Sequence, residues 1–211
     1  MRKRLQTTLE PRKSPVQARS AASVEAILKA TIQVLLKAGK ESLTTTLVAA
    51  RAGVSVGTLY QYFPNKSALL QAALQRHMDE SGAAVQTVCR EQTGSSLEKM
   101  GTALVTSFLA AKMKDVKASV ALYSVSSDVD GARVAREMGR RASHNVVAML
   151  ATAKDELAAD PELVASMLLA TMAGVSRRLV ESASPESDYE RMRDELVFLV
   201  CAYLRACSIP G

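Results

Sequence analysis

The sequence predicts an all-α fold: an N-terminal three-helix helix-turn-helix domain followed by a helical-bundle domain. Three observations carry this. Apolar residues recur at helical spacing in nearly every segment after residue 20. No segment alternates apolar and polar residues over the length of a strand. The breaks between periodic segments are short and are marked by Gly, Pro, Ser or Asp. With 211 residues, 48% of them hydrophobic, the chain can bury one large core or two modest ones.

Residues 1–19 contain Pro11, Pro15 and six Lys/Arg against Glu10, with no apolar face, and are expected to form a flexible basic arm. From Ala22 to Ala38, the spacing of Val24, Ile27, Leu28, Thr31, Val34 and Leu35 predicts the first helix, capped by Ser20 or Ser23 and ended by Gly39. Thr44 is the expected cap of a helix over residues 45–52. Ser55 is the expected cap of the next, over residues 56–63, which Pro64 stops because the residue before proline avoids helical geometry. Asn65 should cap a long fourth helix from Lys66 to the Ser81-Gly82 pair or beyond. Leu28, Leu35, Val48, Leu59 and Leu70 are the expected core of this first domain, residues 20–66, with help from the fourth helix.

The remainder, residues 67–211, reads as helix over 96–113, 114–124, 129–158, 161–182 and 188–207. Asp160 and Pro161 form a cap and first-turn pair. The last two helices carry apolar stripes containing small residues. Met167, Thr171, Gly174, Met192, Leu196, Leu199 and Tyr203 are expected to form a dimer interface. Between the ends, Phe108, Tyr123, His144, Met149 and Met172 are expected to line a pocket. The low aromatic content, 4% with no Trp, favours a hydrophobic, flexible occupant of that pocket.

Charge and cysteine usage narrow the function. The formal net charge is +6, but the excess lies in the N-terminal part, while residues after 80 carry 15 positive and 16 negative charges. Such asymmetry fits a polyanion-binding domain joined to one with another task. Cys89, Cys201 and Cys207 are odd in number and lack metal-ligand spacing, which suits a reducing cytoplasm. Neither a signal peptide nor an apolar run of membrane-spanning length is expected. His77 and His144 are the only histidines, and no metal-binding or nucleophile–base motif is present, so catalysis, a metal or a cofactor is not expected.

The informative stretch is residues 44–66, TTTLVAARAGVSVGTLYQYFPNK. Val48, Ala52, Val54, Leu59 and Tyr62 fall where a helix-turn-helix needs apolar anchors, Ala49 allows close helix approach, and Gly53 suits a turn with positive φ. A recognition helix must present a compact outer face to the major groove. Ser55, Val56, Gly57 and Thr58 lie at its first turn and Gln61 one turn later. Gly57 permits close backbone approach, and Val56 can pack on a thymine methyl. Thr45, Tyr60 and Lys66 are placed to grip the phosphate backbone.

From Val24 to Leu70, and most closely over GVSVGTLYQYFPNKSALL, the sequence resembles the N-terminal domain of TetR-family transcriptional regulators, sharing the pattern T-x(12)-G-T-L-Y-x-Y-F-x-x-K. The resemblance implies three DNA-binding helices, a long fourth helix and a variable all-α domain that dimerises as a four-helix bundle. It places phosphate contacts at Thr45, Tyr60 and Lys66, and base-facing positions at Ser55, Val56, Thr58, Gln61 and Tyr62. Val56 departs from the polar residue of many relatives, which shifts weight from base contacts to backbone grip and DNA shape. The expected function is a homodimeric repressor, bound to a near-palindromic double-stranded operator and released by a small-molecule effector. A redox-responsive regulator using Cys89, Cys201 or Cys207 is the alternative, and a helical enzyme a remote one.

Overall fold

The computed structural model describes residues 18–209, so nearly all of the expected basic arm lies outside the described residues. Among the described residues there are nine helices and no strand. They are α1 (Ala18–Ser42), α2 (Thr45–Ala52), α3 (Val56–Tyr62), α4 (Lys66–Glu91), α5 (Leu97–Met113), α6 (Val116–Ser124), α7 (Gly131–Leu150), α8 (Pro161–Val180) and α9 (Pro185–Ala206). The chain divides into two units. One comprises the chain up to His77 together with Lys117–Val134, and the other comprises Met78–Val116 with everything from Ala135 on.

In the first unit, α1 starts earlier than expected, at Ala18, so neither Ser20 nor Ser23 caps it. Gly39 does break the helical path, at φ 74° and ψ 172°, a region that glycine enters without strain. All five expected core residues are buried, joined by Ile27, Leu43, Phe63, Leu69 and Leu74. The helix α4 runs through Ser81-Gly82 without a break. A mid-helix glycine costs about 1 kcal/mol, and the apolar contacts of Leu74, Met78, Val85 and Val88 along the buried face outweigh it. Residues 117–134 join this unit through the Lys40 Nζ–Asp128 Oδ2 ion pair, 2.6 Å, and a buried 2.9 Å hydrogen bond between His77 Nε2 and Ser119 Oγ.

The second unit is built on α5, α8 and α9, whose facing residues include Met100, Leu104, Val105, Leu109, Leu168, Met172, Val200 and Leu204. A Cβ on Gly101 would stand 2.8 Å from a Leu204 methyl and 3.0 Å from Val200, so its missing side chain sets how closely α5 approaches α9. The helix expected over 129–158 ends at Leu150. The residues after it spend their hydrogen bonds elsewhere. Thr152 Oγ1 accepts from Gly94 N, Lys154 N donates to Ser95 O, and Asp155 Oδ2 accepts from Leu97 N at 2.7 Å. Ala158 N donates to Cys207 O, and Ile209 N to Glu156 O.

Contrary to the sequence expectation, α8 is long and apolar enough by composition to cross a membrane, with a mean hydropathy of 1.4. Its apolar residues divide between two faces. Val164, Leu168, Met172 and Leu179 are buried in this unit's core, while Leu163 and Met167 are exposed.

Candidate nucleic-acid interface

The interface is assembled from α2, a three-residue turn and α3. Thr44 takes extended geometry, and its hydroxyl accepts from Leu47 N at 3.2 Å, starting α2 where the sequence places it. At the other end Gly53 adopts the left-handed conformation, φ 69° and ψ 28°. This lets Val54 N reach back to Ala49 O at 3.0 Å, which closes α2 and turns the chain. Ser55 then caps α3, accepting from Thr58 N at 2.9 Å, and its hydroxyl also shares a 2.8 Å hydrogen bond with the Thr58 hydroxyl. Phe63 N donates back to Leu59 O, Pro64 follows, and Asn65 Oδ1 accepts from Ala68 N at 2.8 Å to begin α4.

The inner face holds the two helices together. Val48, Ala49 and Leu59 are almost fully buried, while Ala52, Val54 and Tyr62 are half-buried. Arg51 Nε donates to Gln33 Oε1 at 2.7 Å and ties α2 to α1.

The outer face contains the expected base-facing residues other than Tyr62, which is half-buried with the inner-face residues. Ser55, Val56, Gly57, Tyr60 and Gln61 are exposed, and Thr58 is half-buried. The only neighbour a Cβ on Gly57 would meet is Ser55 Oγ at 3.7 Å, an ordinary contact. No steric contact within the described residues therefore demands glycine there. Thr45, at the first turn of α2, and Tyr60, on α3, bring their hydroxyls within 3.0 Å of each other. Lys66 is held by donation from Nζ to Lys40 O at 2.7 Å. An ammonium has three donors, so this bond orients the group without exhausting it.

The sequence of residues 27–73 matches the profile of "Bacterial regulatory proteins, tetR family", and residues 96–204, just over half of the chain, match "Tetracyclin repressor-like, C-terminal domain". The chain belongs to the TetR family. Within it, the chain is 47% identical over 57 residues to the HTH-type transcriptional repressor KstR of Mycolicibacterium smegmatis, a match covering 27% of this chain and 28% of that one. The matched segment thus spans little more than a quarter of that relative. Two solved structures share the fold over most of the chain. SmeT, the repressor of the Stenotrophomonas maltophilia multidrug efflux pump SmeDEF, superposes with a TM-score of 0.66 at 22% identity, covering 91% of this chain and 93% of SmeT. A transcriptional regulator from a Rhodococcus species gives 0.69 at 21% identity, covering 89% and 100%. The TetR-family fold therefore extends well beyond residues 27–73.

The structure redistributes the other expected site residues. Of the dimer set, Met167, Gly174 and Leu199 are exposed and Thr171, Met192 and Tyr203 are half-buried, but Leu196 is a core residue at 2% exposure. The exposed face of α9 is instead led by Phe198, 72% exposed, which the sequence reading missed. Apolar residues occupy both sides of α9, so periodicity alone does not say which side faces inward.

Of the pocket set, Phe108, Met149 and Met172 are packed in the second unit's core, and Tyr123 belongs to the first unit. His144 alone lines a cleft of about 570 Å³ between α4 and α7. Flexible apolar side chains at helical spacing serve the core here. Burial pushes the Cys89 thiol up to about 11, which suppresses the thiolate that oxidation requires. Cys201 and Cys207 are half-buried.

Proposed function

We propose that this protein is a homodimeric, sequence-specific DNA-binding repressor of the cytoplasm, released from a near-palindromic operator by a small-molecule effector. The observation that carries the reading is the outer face of the α2–α3 pair. An exposed first turn, Ser55 to Thr58, is accompanied by two hydroxyls, Thr45 and Tyr60, whose 3.0 Å separation brings them close enough together to serve one phosphate. Val56 and Gly57 enter the major groove against base edges, Thr58 and Gln61 supply polar contacts, and Tyr62 supports α3 from its inner side. Lys66 adds charge to the backbone grip.

Dimerisation follows from α8 and α9. Leu163, Met167, Phe198 and Leu199 expose apolar surface on the helices that pair in the family's four-helix bundle. Two copies then present two recognition helices to successive major grooves. Effector binding shifts the population toward a state in which α4 swings and the two helices no longer match the operator spacing.

The test is retention of duplexes from the protein's own promoter region against random duplexes at moderate salt. Retention of the promoter duplex at least a hundredfold above random supports the reading. Equal retention of both sinks it.

A further inference from the structure

We propose that the cleft between α4 and α7 takes an organic anion with an apolar body, and that this anion is the effector. The proposal rests on the ligand-responsive reading above and names the chemistry of its ligand. The cleft lies wholly within the second unit, and its volume of about 570 Å³ suits a small molecule.

Its lining has two parts. Gly82 and Ala83 on α4 and Met138 and Ala142 on α7 supply small or apolar surface. A Cβ on Gly82 would meet Met138 Cγ at 3.8 Å, so the two helices run close there, and small side chains leave the space open. The polar part is rich in donors: Gln86, Arg140, Arg141, His144 and Asn145, with Asp79 as its one carboxylate.

The two guanidiniums decide the sign of the ligand. Both are oriented by Glu137, which is not among the lining residues. Arg140 donates to it through Nε and Nη2, at 3.3 and 3.0 Å, and Arg141 through Nε at 2.9 Å. Each guanidinium carries five N–H groups, so most of their donors remain to be offered. Arg141 Nη1 stands 3.9 Å from Asp79 Oδ1, a charge contact too long to be a hydrogen bond. An arginine pair already fixed by a carboxylate behind it loses little freedom on meeting a second anion, and guanidiniums match carboxylate and phosphate geometry with paired hydrogen bonds. The small and apolar surface beside it takes the ligand's hydrocarbon. A hydrophobic, flexible effector, the sequence expectation, would make no use of the remaining guanidinium donors unless it also carried an acceptor group.

The experiment uses the full chain and four eight-carbon probes below their micellar concentrations: octanoate, octyl phosphate, octanol and octylamine. Binding is measured by calorimetry, and release of a promoter duplex by fluorescence anisotropy. At least one of the two anions is expected to bind tenfold or more tightly than octanol, with octylamine no better than octanol. The stronger anion distinguishes a carboxylate from a phosphate ligand. The double variant Arg140→Ala, Arg141→Ala should lose that tenfold preference, and Ala83→Leu, which fills the cleft while keeping its charges, should weaken both anions. Thermal melting confirms that each variant is folded. Equal binding of anions and octanol, or an anion preference that survives loss of the arginines, overturns the proposal. If the anions bind as stated but no promoter duplex is retained above random DNA, the repressor reading fails and takes the effector role with it. If DNA is retained specifically and the anions do not bind, the anion proposal fails alone.

Discussion

Thr45 Oγ1 and Tyr60 OH stand 3.0 Å apart, fifteen residues distant in sequence but joined by one hydrogen bond at the mouth of the α2–α3 pair. Each hydroxyl restrains the other, so in the proposed complex both would meet the same phosphate. Their contribution should therefore be to phosphate binding and should be mutually dependent.

Thr45→Val and Tyr60→Phe are each expected to weaken operator binding by about fivefold, the worth of roughly 1 kcal/mol for one hydrogen bond. The loss should be similar on random DNA, because phosphate contacts carry no sequence information. The double variant should lose less than the product of the two. Anisotropy titrations on both duplexes decide this, and a loss confined to the operator would refute the phosphate assignment.

The two glycines of the motif should respond oppositely to alanine. At Gly53, φ is 69° and a Cβ would meet nothing within 4 Å, so the cost is backbone strain alone, about 1–2 kcal/mol in urea unfolding. At Gly57 alanine is expected to leave stability intact or slightly raised, since glycine is a poor helix residue. DNA affinity should nevertheless fall if the first turn of α3 enters the groove as proposed, because the added methyl would hold the backbone away from the base edges.

Phe198 and Leu196, two residues apart on α9, should separate association from folding. Phe198→Glu on the exposed face is expected to give a folded monomer by analytical ultracentrifugation. Leu196→Glu buries an unpaired charge and should destabilise the chain by about 3–5 kcal/mol. A Phe198→Glu protein that remains dimeric would rule out this face as the interface.

Cys89 should be inert to iodoacetamide at pH 8 in the folded chain and react only on unfolding, with Cys201 and Cys207 modified earlier. The thiol's ordinary value of 9.0 is raised to about 11, so between those values the folded chain keeps a proton that the unfolded chain has lost. By that linkage, stability is fully present below about pH 9 and declines as pH rises toward 11. Unfolding curves taken at pH 8 and pH 10.5 give the check, with a Cys89→Ala variant showing a smaller difference than the parent chain.

The sequence was most legible where local chemistry closes on itself. The helix over 45–52 was read with the bounds it has, because Thr44 and Gly53 cap it with bonds to residues three or four positions away. Ser55 and Pro64 bracket α3 to within one residue in the same way. Long-range partners were not legible. The helix α7 stops at Leu150 because residues near 152–158 bond to Gly94–Leu97 and to Cys207, and nothing in local propensity announces such partners. The same reason hid the cleft, whose two walls come from α4 and α7, more than fifty residues apart in sequence.

The pairing of His77 with Ser119, and of Lys40 with Asp128, bears on modularity. A headpiece cut from this chain after His77 would lack the partners of two of its own residues and expose a side chain that is now only 7% accessible. A chimaera that grafts another relative's reading head onto this protein would have to carry residues 117–134 along with it, as two pieces of sequence for one piece of structure. The first unit is therefore encoded in two stretches of sequence with part of the second unit between them, and recombination between relatives at a single crossover would break what it meant to exchange.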